Sequence, residues 1–333
     1  AIKKVTYRAI PDYSSAAIAM RAGEVDIMNY GLASDIVGFI EDTENFDTVR
    51  IERDLTQGIT FNNSVEPFND VRLRQAVSHA IDKESINLIV DEGLSNTENT
   101  LVKTFPTMEG YEKALSENRL TVYEYDVDKA KALLAEAGYD ESNPLNVPYI
   151  TPSSAYAQSL AAALQAQLSM VNINLDIEVM EPSAWISRVG DGDFVCGFND
   201  TGAWSNRSAL GYYWMYHTGL MYAREHADIA RVNEITEIGL RTLDAAEREE
   251  LYAELLEIVS AEAICVPVLQ RVGYIITVKG LNAYAAASSA EGPYVVAGVE
   301  MPANAYQGVL EMMPYFEEGK TAPALEFITS VKG

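Results

Sequence analysis

A chain of 333 residues, 48% hydrophobic and 22% charged, carries enough apolar material for two domains of ordinary size, which excludes a disordered chain or a fibrous repeat. Its 49 Asp and Glu outweigh 24 Lys and Arg to a formal charge of −25, a field that repels phosphate backbones and anionic headgroups and argues against nucleic acid as a partner. No run approaches the roughly 18 to 20 consecutive apolar residues that span a bilayer, and the opening at Ala1, with no basic and apolar leader, reads as a processed product or a segment of a longer chain.

Along the chain, Lys3 to Ile10 predicts a strand, closed by Pro11-Asp12, and Ser14-Ser15 are expected to cap a short helix through Arg21 that Gly23 stops. A second strand is expected at Val25 to Met28, a small acidic helix near Ser34 to Asp42, and further strands at Asp47 to Asp54 and Leu55 to Asn62. Pro67-Phe68-Asn69-Asp70 then introduces a helix with Val71, Leu73, Ala76, Val77, Ala80 and Ile81 as its buried stripe, and Asp82 caps the next, which Gly93 ends. Leu94 to Tyr125 has no clear period and reads as a long surface excursion. Asp126 caps a helix over Val127 to Ala137, closed by Gly138.

Pro144 to Ile150 predicts a strand, Ser153-Ser154 cap a helix over Ala155 to Val171, and Asn174 to Met180 predicts the next strand. This is a βαβ unit, whose right-handed crossover makes the two strands parallel. A helix near Ser183 to Val189, a strand at Phe194 to Phe198 and two helices at Ala227 to Leu240 and Asp244 to Ser260 follow. An apolar strand pair at Ile264 to Val278, interrupted by Gly273, leads into a tail rich in Ala, Ser, Gly and Pro.

The chemistry-bearing residues are few. His79, His217 and His226 form no H-x-x-x-H pair, and His79 is read as a helix-surface residue. No phosphate loop, dinucleotide turn or nucleophile elbow occurs, so no catalytic residue, metal or cofactor is predicted. The segment from Phe198 to His217 concentrates Trp204, Tyr212, Tyr213, Trp214 and Tyr216 after a buried strand. Ligand sites of open α/β sheets lie beyond the carboxyl ends of strands, and amphipathic aromatics suit a small-molecule pocket. Tyr212 to Tyr216 fit either that pocket or one face of a core helix, and Asp200 fits either a ligand contact or a turn cap.

The order of motifs resembles the family 5 extracellular solute-binding proteins, receptors of ABC-type importers. The resemblance rests on Ile10-Pro11-Asp12 with Gly23-Glu24-Val25-Asp26, and on Phe61-Asn62-Asn63 through Pro67-Phe68-Asn69-Asp70-Val71-Arg72-Leu73-Arg74-Gln75-Ala76, its most specific part. Tyr125-Asp126 with Lys129 through Tyr139, and Ala263-Ile264-Cys265-Val266-Pro267-Val268, are similar to later family blocks. The resemblance implies an α/β, periplasmic binding protein-like fold of type II, bilobed, with mixed sheets flanked by helices. It places residues 1–54 in a discontinuous first lobe, 55–278 in the second ligand-binding lobe, and 279–333 in a return to the first. It also implies that the chain is the C-terminal part of such a receptor, and that alone it binds its ligand weakly or not at all because half of the cleft lies outside it.

By the same resemblance the function is binding without turnover: a monomeric receptor, periplasmic or anchored at the cell surface, that passes a peptide or related small solute to the membrane subunits of an ABC permease. The candidate ligand contacts are Phe198, Asn199, Asp200, Thr201, Trp204 and Trp214, with Ser153 and Ser154. An acidic residue pairs with the peptide ammonium in peptide-binding members; Asp200 falls one place early and Thr201 takes the matching position. Where dipeptide receptors have an arginine for the ligand carboxylate, this chain has Thr151, Ser153 and Ser154, which disfavours free dipeptides. An oligosaccharide or other non-peptide ligand is the alternative within the family, since Trp and Tyr stack on sugar faces. An extracellular enzyme or interaction module is the alternative of another class.

Cys196 and Cys265, the two cysteines, are expected to be buried, reduced thiols. The intact mass of the protein should therefore be unchanged by reductant; a mass lower by two hydrogens and restored by reductant overturns this expectation.

Overall fold

The structure is a computed structural model, and it describes residues 5–28, 31, 33–97, 109–202, 209–217, 229–282, 294–296, 299–301, 315–316 and 325–329. In chain order the elements are β1 (Val5–Ala9), α1 (Tyr13–Arg21), β2 (Ile27–Met28), α2 (Ala33–Glu41), β3 (Phe46–Phe61), α3 (Val71–His79), α4 (Lys83–Asp91) and β4 (Asn96–Thr97). Next come α5 (Tyr111–Ser116), α6 (Val127–Glu136), β5 (Leu145–Pro152), α7 (Ala155–Ser169), β6 (Ile173–Met180), α8 (Pro182–Asp191) and β7 (Cys196–Gly202). The chain continues through α9 (Ala209–Tyr216), α10 (Ile229–Gly239), α11 (Ala245–Ala261), β8 (Cys265–Val278) and β9 (Leu281–Asn282). The short strands β10 (Tyr294–Val296), β11 (Val299–Met301), β12 (Tyr315–Phe316) and β13 (Leu325–Thr329) lie in the tail. The chain forms two compact units, Ala1–Arg53 with Val272–Gly333, and Asp54–Arg271.

In the first unit β1 and β2 both run parallel to β13, through Tyr7↔Phe327 and Ile27↔Phe327, and β2 pairs antiparallel with the part of β8 beyond Arg271, through Ile27↔Thr277. Asp12, rather than the expected Ser14-Ser15, caps α1: its Oδ1 accepts from the Ser15 N–H at 2.8 Å and the Ser15 hydroxyl at 2.6 Å. The carboxylate accepts from both groups of Ser15, so the helix begins at Tyr13. Its apolar face buries Ala16, Ala17, Ala19 and Met20.

In the second unit the strand order is β8-β3-β7-β5-β6, with β4 on β8. β5 and β6 are parallel from Leu145↔Ile173 to Pro152↔Met180, as the right-handed crossover through α7 requires. Leu160, Leu164 and Leu168 of α7 are essentially inaccessible, each worth about 1.5–3 kcal/mol of apolar burial. They join Ile59, Phe61, Phe68, Leu73, Val77 and Tyr149 in one core. A second core joins Tyr111, Tyr212, Tyr216, Val232, Ile235, Tyr252 and Leu256 from α5, α9, α10 and α11.

Four expectations are corrected here. The strands expected at Asp47 to Asp54 and Leu55 to Asn62 are one strand, β3, and the apolar pair broken at Gly273 is likewise one strand, β8. The stretch read as a surface excursion contains β4 and α5 and buries Tyr111, Ala114 and Tyr123. His79, expected on a helix surface, is 4% exposed; its Nδ1 donates to the Glu124 carbonyl at 2.7 Å and its ring meets Tyr123 edge-on at 5.2 Å. A carbonyl can only accept, so the neutral ring carries its proton on Nδ1.

Burial lowers the His79 pKa, aided by Lys129 and opposed by the hydrogen bond to Glu124 and by the Asp126 and Glu124 carboxylates. The unfolded chain therefore takes up the proton first. Stability contributed by His79 is complete above the unfolded value of about 6.5 and is lost as pH falls from there toward the depressed folded value. Urea unfolding of the wild type should show stability falling as pH drops below about 6.5, and His79→Gln should flatten that slope. An unchanged slope in the variant would show that His79 is not its source.

Candidate functional site

The site region is built where β5 and β7 end, within the unit Asp54–Arg271. β5 and β7 pair through Tyr149↔Cys196 and Ile150↔Gly197, and pairing stops there. β7 runs on beside β3 to Leu55↔Gly202, and since this register sets Pro152, the last residue of β5, level with Asn199, the last three residues of β7 outrun β5. Two glycines allow the close approach. A Cβ on Gly197 would fall 2.6 Å from the Ile150 carbonyl oxygen, and one on Gly58 would fall 2.0 Å from that of Val266.

At the end of β5 the chain turns into α7. The Ser153 N–H donates to the Met180 carbonyl at 2.8 Å, which ties the corner to β6. Ser154 is the N-cap, its hydroxyl accepting from the Ala157 N–H at 3.3 Å, and Gln158 Nε2 donates to the Ser153 carbonyl at 2.9 Å. Both serines are exposed at the rim.

The predicted contacts separate cleanly. Phe198 and Asn199 are buried on β7 and face Ile59 and Gly58 in register. The backbone places Asp200 opposite Gln57 and Thr201 opposite Thr56, on alternate faces of the strand. Trp204 lies outside the described residues, and Trp214 is placed on α9. Tyr212 and Tyr216, left open between pocket and core, are core residues: both are buried, Tyr212 stacks on Tyr252 at 4.0 Å, and its hydroxyl donates to the Glu109 carbonyl at 2.5 Å. Their i, i+4 spacing was the signal for the core reading.

Sequence reasoning missed two participants. Trp185 of α8 packs edge-on to Phe198, with ring centroids 5.9 Å apart, and its Nε1–H is buried without a hydrogen-bond partner. Thr151 is 0% exposed with Oγ1 also unpartnered, and the same holds for the hydroxyl of buried Thr56 on β3. Buried polar groups are normally satisfied, and these three belong to a larger group without a partner among the described residues that includes the Tyr216 and Tyr252 hydroxyls of the second core.

Titratable chemistry is sparse. Burial pushes the Tyr149 hydroxyl and the Cys196 thiol well above their ordinary ranges, so both stay protonated at neutral pH. Both cysteines are free; Cys265 is half-buried, with its thiol pushed up to about 12 by burial. Among the described residues no group of three or more His, Cys, Asp or Glu could hold a metal ion.

The family model for bacterial extracellular solute-binding proteins, family 5, middle portion, matches residues 1–222. The chain belongs to this family. It is 27% identical over 292 residues to the nickel-binding periplasmic protein of Escherichia coli (strain K12), covering 80% of this chain and 53% of that protein. Among solved structures, NikA from Brucella suis in complex with Fe(III)-EDTA superposes with a TM-score of 0.74 at 22% identity, over 92% of this chain and 61% of that one. DppA from Helicobacter pylori in complex with the peptide STSA gives a TM-score of 0.68 at 25% identity, over 83% and 53%. The chain spans about half the length of the relatives it matches. The family 5 chain therefore has the α/β fold of periplasmic binding proteins, with mixed sheets flanked by helices. Among the described residues no helix is long and apolar enough to cross a membrane.

The buried Thr151 hydroxyl separates a structural role from a ligand role. Thr151→Val keeps the shape and removes an unsatisfied group, so the ligand-free protein should be unchanged or up to about 1 kcal/mol more stable in urea. The same variant should bind solute more weakly, by about threefold to tenfold. Clear destabilisation without ligand would show that the hydroxyl is satisfied within the protein.

Proposed function

We propose that this chain supplies the binding surface of an ABC-importer receptor that takes a peptide or related small solute at the carboxyl ends of β5 and β7. The observation that carries the reading is the edge itself. β7 outruns β5 beyond Asn199, exposed Ser153 and Ser154 form the rim, and Thr151, Thr56 and Trp185 keep buried polar atoms unpartnered among the described residues. A peptide offers alternating amide donors and acceptors to such groups and an apolar side chain to the Trp185–Phe198 pair.

Family membership supports the transport role, since the family consists of extracellular solute-binding proteins. Delivery to a permease, a periplasmic or surface-anchored location, a monomeric state and the assignment of residues 1–54, 55–278 and 279–333 to two lobes belong to the same reading. Phe198, Asn199, Ser153 and Ser154 are its contacts at this edge, and Asp200, Thr201, Trp204 and Trp214 complete it. Binding without turnover fits a site whose described tyrosine and thiol are held neutral by burial.

The test is calorimetric titration of the full-length protein carrying this sequence, with peptides of graded length and with oligosaccharides in parallel. Saturable heat is expected with peptides at micromolar or lower Kd, and the recovered peptide should be intact by mass. Heat from oligosaccharides alone, or cleavage of the peptide, would overturn the reading.

A further inference from the structure

In this strongly acidic chain the arginines of the unit Asp54–Arg271 are drawn to carboxylates. Arg74 pairs with Glu262, Arg119 with Glu250 and Glu257, Arg188 with Glu178, Arg231 with Glu254, and Arg248 with Glu109. Arg271 differs: it forms no ion pair among the described residues, and its Nε is buried with no hydrogen-bond partner. Its guanidinium instead lies over the ring of Tyr156, 4.2 Å from the centroid.

That contact has a definite place in the fold. β3 and β7 separate β8 from β5 in the sheet, so Arg271 reaches past both to stack on the second residue of α7. The positive end of the α7 dipole is at this turn. Thr151 follows Val147 and Tyr149 at alternate positions on the face of β5 that packs against Ala157 and Leu160 of α7. Its unpartnered, fully buried hydroxyl therefore lies on the α7 side of the same corner. The exposed Ser153 opens that corner to solvent.

Among the described residues the guanidinium over Tyr156, at the N-terminus of α7, has no carboxylate acceptor, and the Thr151 hydroxyl on the α7 side of β5 is likewise open. Where the protein withholds a carboxylate of its own, the anion is left to come from the ligand. A single cation balances a single negative charge, and the planar fork matches a carboxylate in bidentate geometry. We propose that Arg271, held on the Tyr156 ring, receives a carboxylate group of the bound solute. This rests on the solute-receptor reading and narrows its ligand to a carboxylate-bearing solute, such as a peptide with a free C-terminus.

The test uses the full-length protein and two probe pairs. In the first, propionate and propionamide at matched ionic strength are compared by their shift of the melting temperature, with inorganic phosphate alongside. Propionate should raise the wild-type Tm more than propionamide does. Arg271→Gln should abolish that difference, Arg271→Lys should retain part of it, and Tyr156→Phe, which keeps the ring, should retain it all. In the second, tetraalanine should bind the wild type about ten- to hundredfold more tightly than its C-terminal amide, and Arg271→Gln should bring the two within about twofold.

A propionate effect equal in the wild type and Arg271→Gln overturns the proposal, and so does an unaltered acid-over-amide preference. Protection by phosphate but not propionate, acting through Arg271, overturns the assignment to a carboxylate. If Arg271→Gln does not fold, Arg271→Lys carries the same comparison. Should neither peptide bind while propionate still acts through Arg271, the peptide reading fails and the anion site stands, which keeps the two failures apart.

Discussion

The larger unit is organised around one buried cation. Arg74, 1% exposed in the middle of α3, donates from Nη1 to the Phe68 carbonyl at 2.7 Å, from Nε to the Glu262 carbonyl at 2.9 Å and from Nη2 to the Glu262 carboxylate at 2.8 Å. Burial depresses its pKa and Glu262 opposes that shift, so the charge is held by its partners and not by water. Losing one partner of such a pair costs about 3–5 kcal/mol, because the other is stranded. The same contacts fix a corner of the chain: Ala263, next after Glu262, has φ 45° and is buried, a left-handed conformation that disfavours any residue with a Cβ. Arg74 thus determines where α11 ends and where β8 begins.

From that corner the constraint passes strand by strand to the site. β8 lies so close to β3 that only a glycine fits at position 58. Asn62, at the end of β3, donates from Nδ2 to the Gly192 and Phe194 carbonyls at 2.9 and 3.2 Å, and its N–H donates to the Val195 carbonyl, which positions the entry to β7. Phe61 packs on Phe68 at 4.4 Å, and Asp70 caps α3 while pairing with Arg72. The Phe61-Asn62-Asn63 and Pro67 to Ala76 segments therefore work through position: they set β3, β3 sets β7, and β7 sets how far the strand edge outruns β5.

This hierarchy explains what could be read in advance. Helix starts were legible because their determinant is local: Asp82, Asp126 and Asp244 each accept from an N–H three residues on, and Leu160, Leu164 and Leu168 repeat at the helical period. The lengths of β3 and β8 were not, because each strand passes from one compact unit to the other and no single alternation describes both environments. Burial of His79 depends on a carbonyl 45 residues away. At the candidate site, Phe198 and Asn199 follow from the rule that ligands gather at strand ends, and Ser153 and Ser154 from the family resemblance. Trp185, Thr151 and Arg271 do not, since what marks them is a polar atom without a hydrogen-bond partner among the described residues, and that has no signature in sequence.

That absence also bears on what kind of site this is. A catalytic centre needs a group poised to gain or lose a proton near the working pH. Here burial moves the nearby titratable groups away from neutrality: the Cys196 thiol and Tyr149 hydroxyl are raised, and each is enclosed by strands rather than open at the rim. Among the described side chains the edge offers hydroxyls and an indole N–H, groups that keep one protonation state across ordinary pH. Such a set can select a ligand by complementing its hydrogen bonds, and it can release that ligand unchanged when those contacts are broken. Fixed donors of this kind would make affinity depend on geometry and not on a proton.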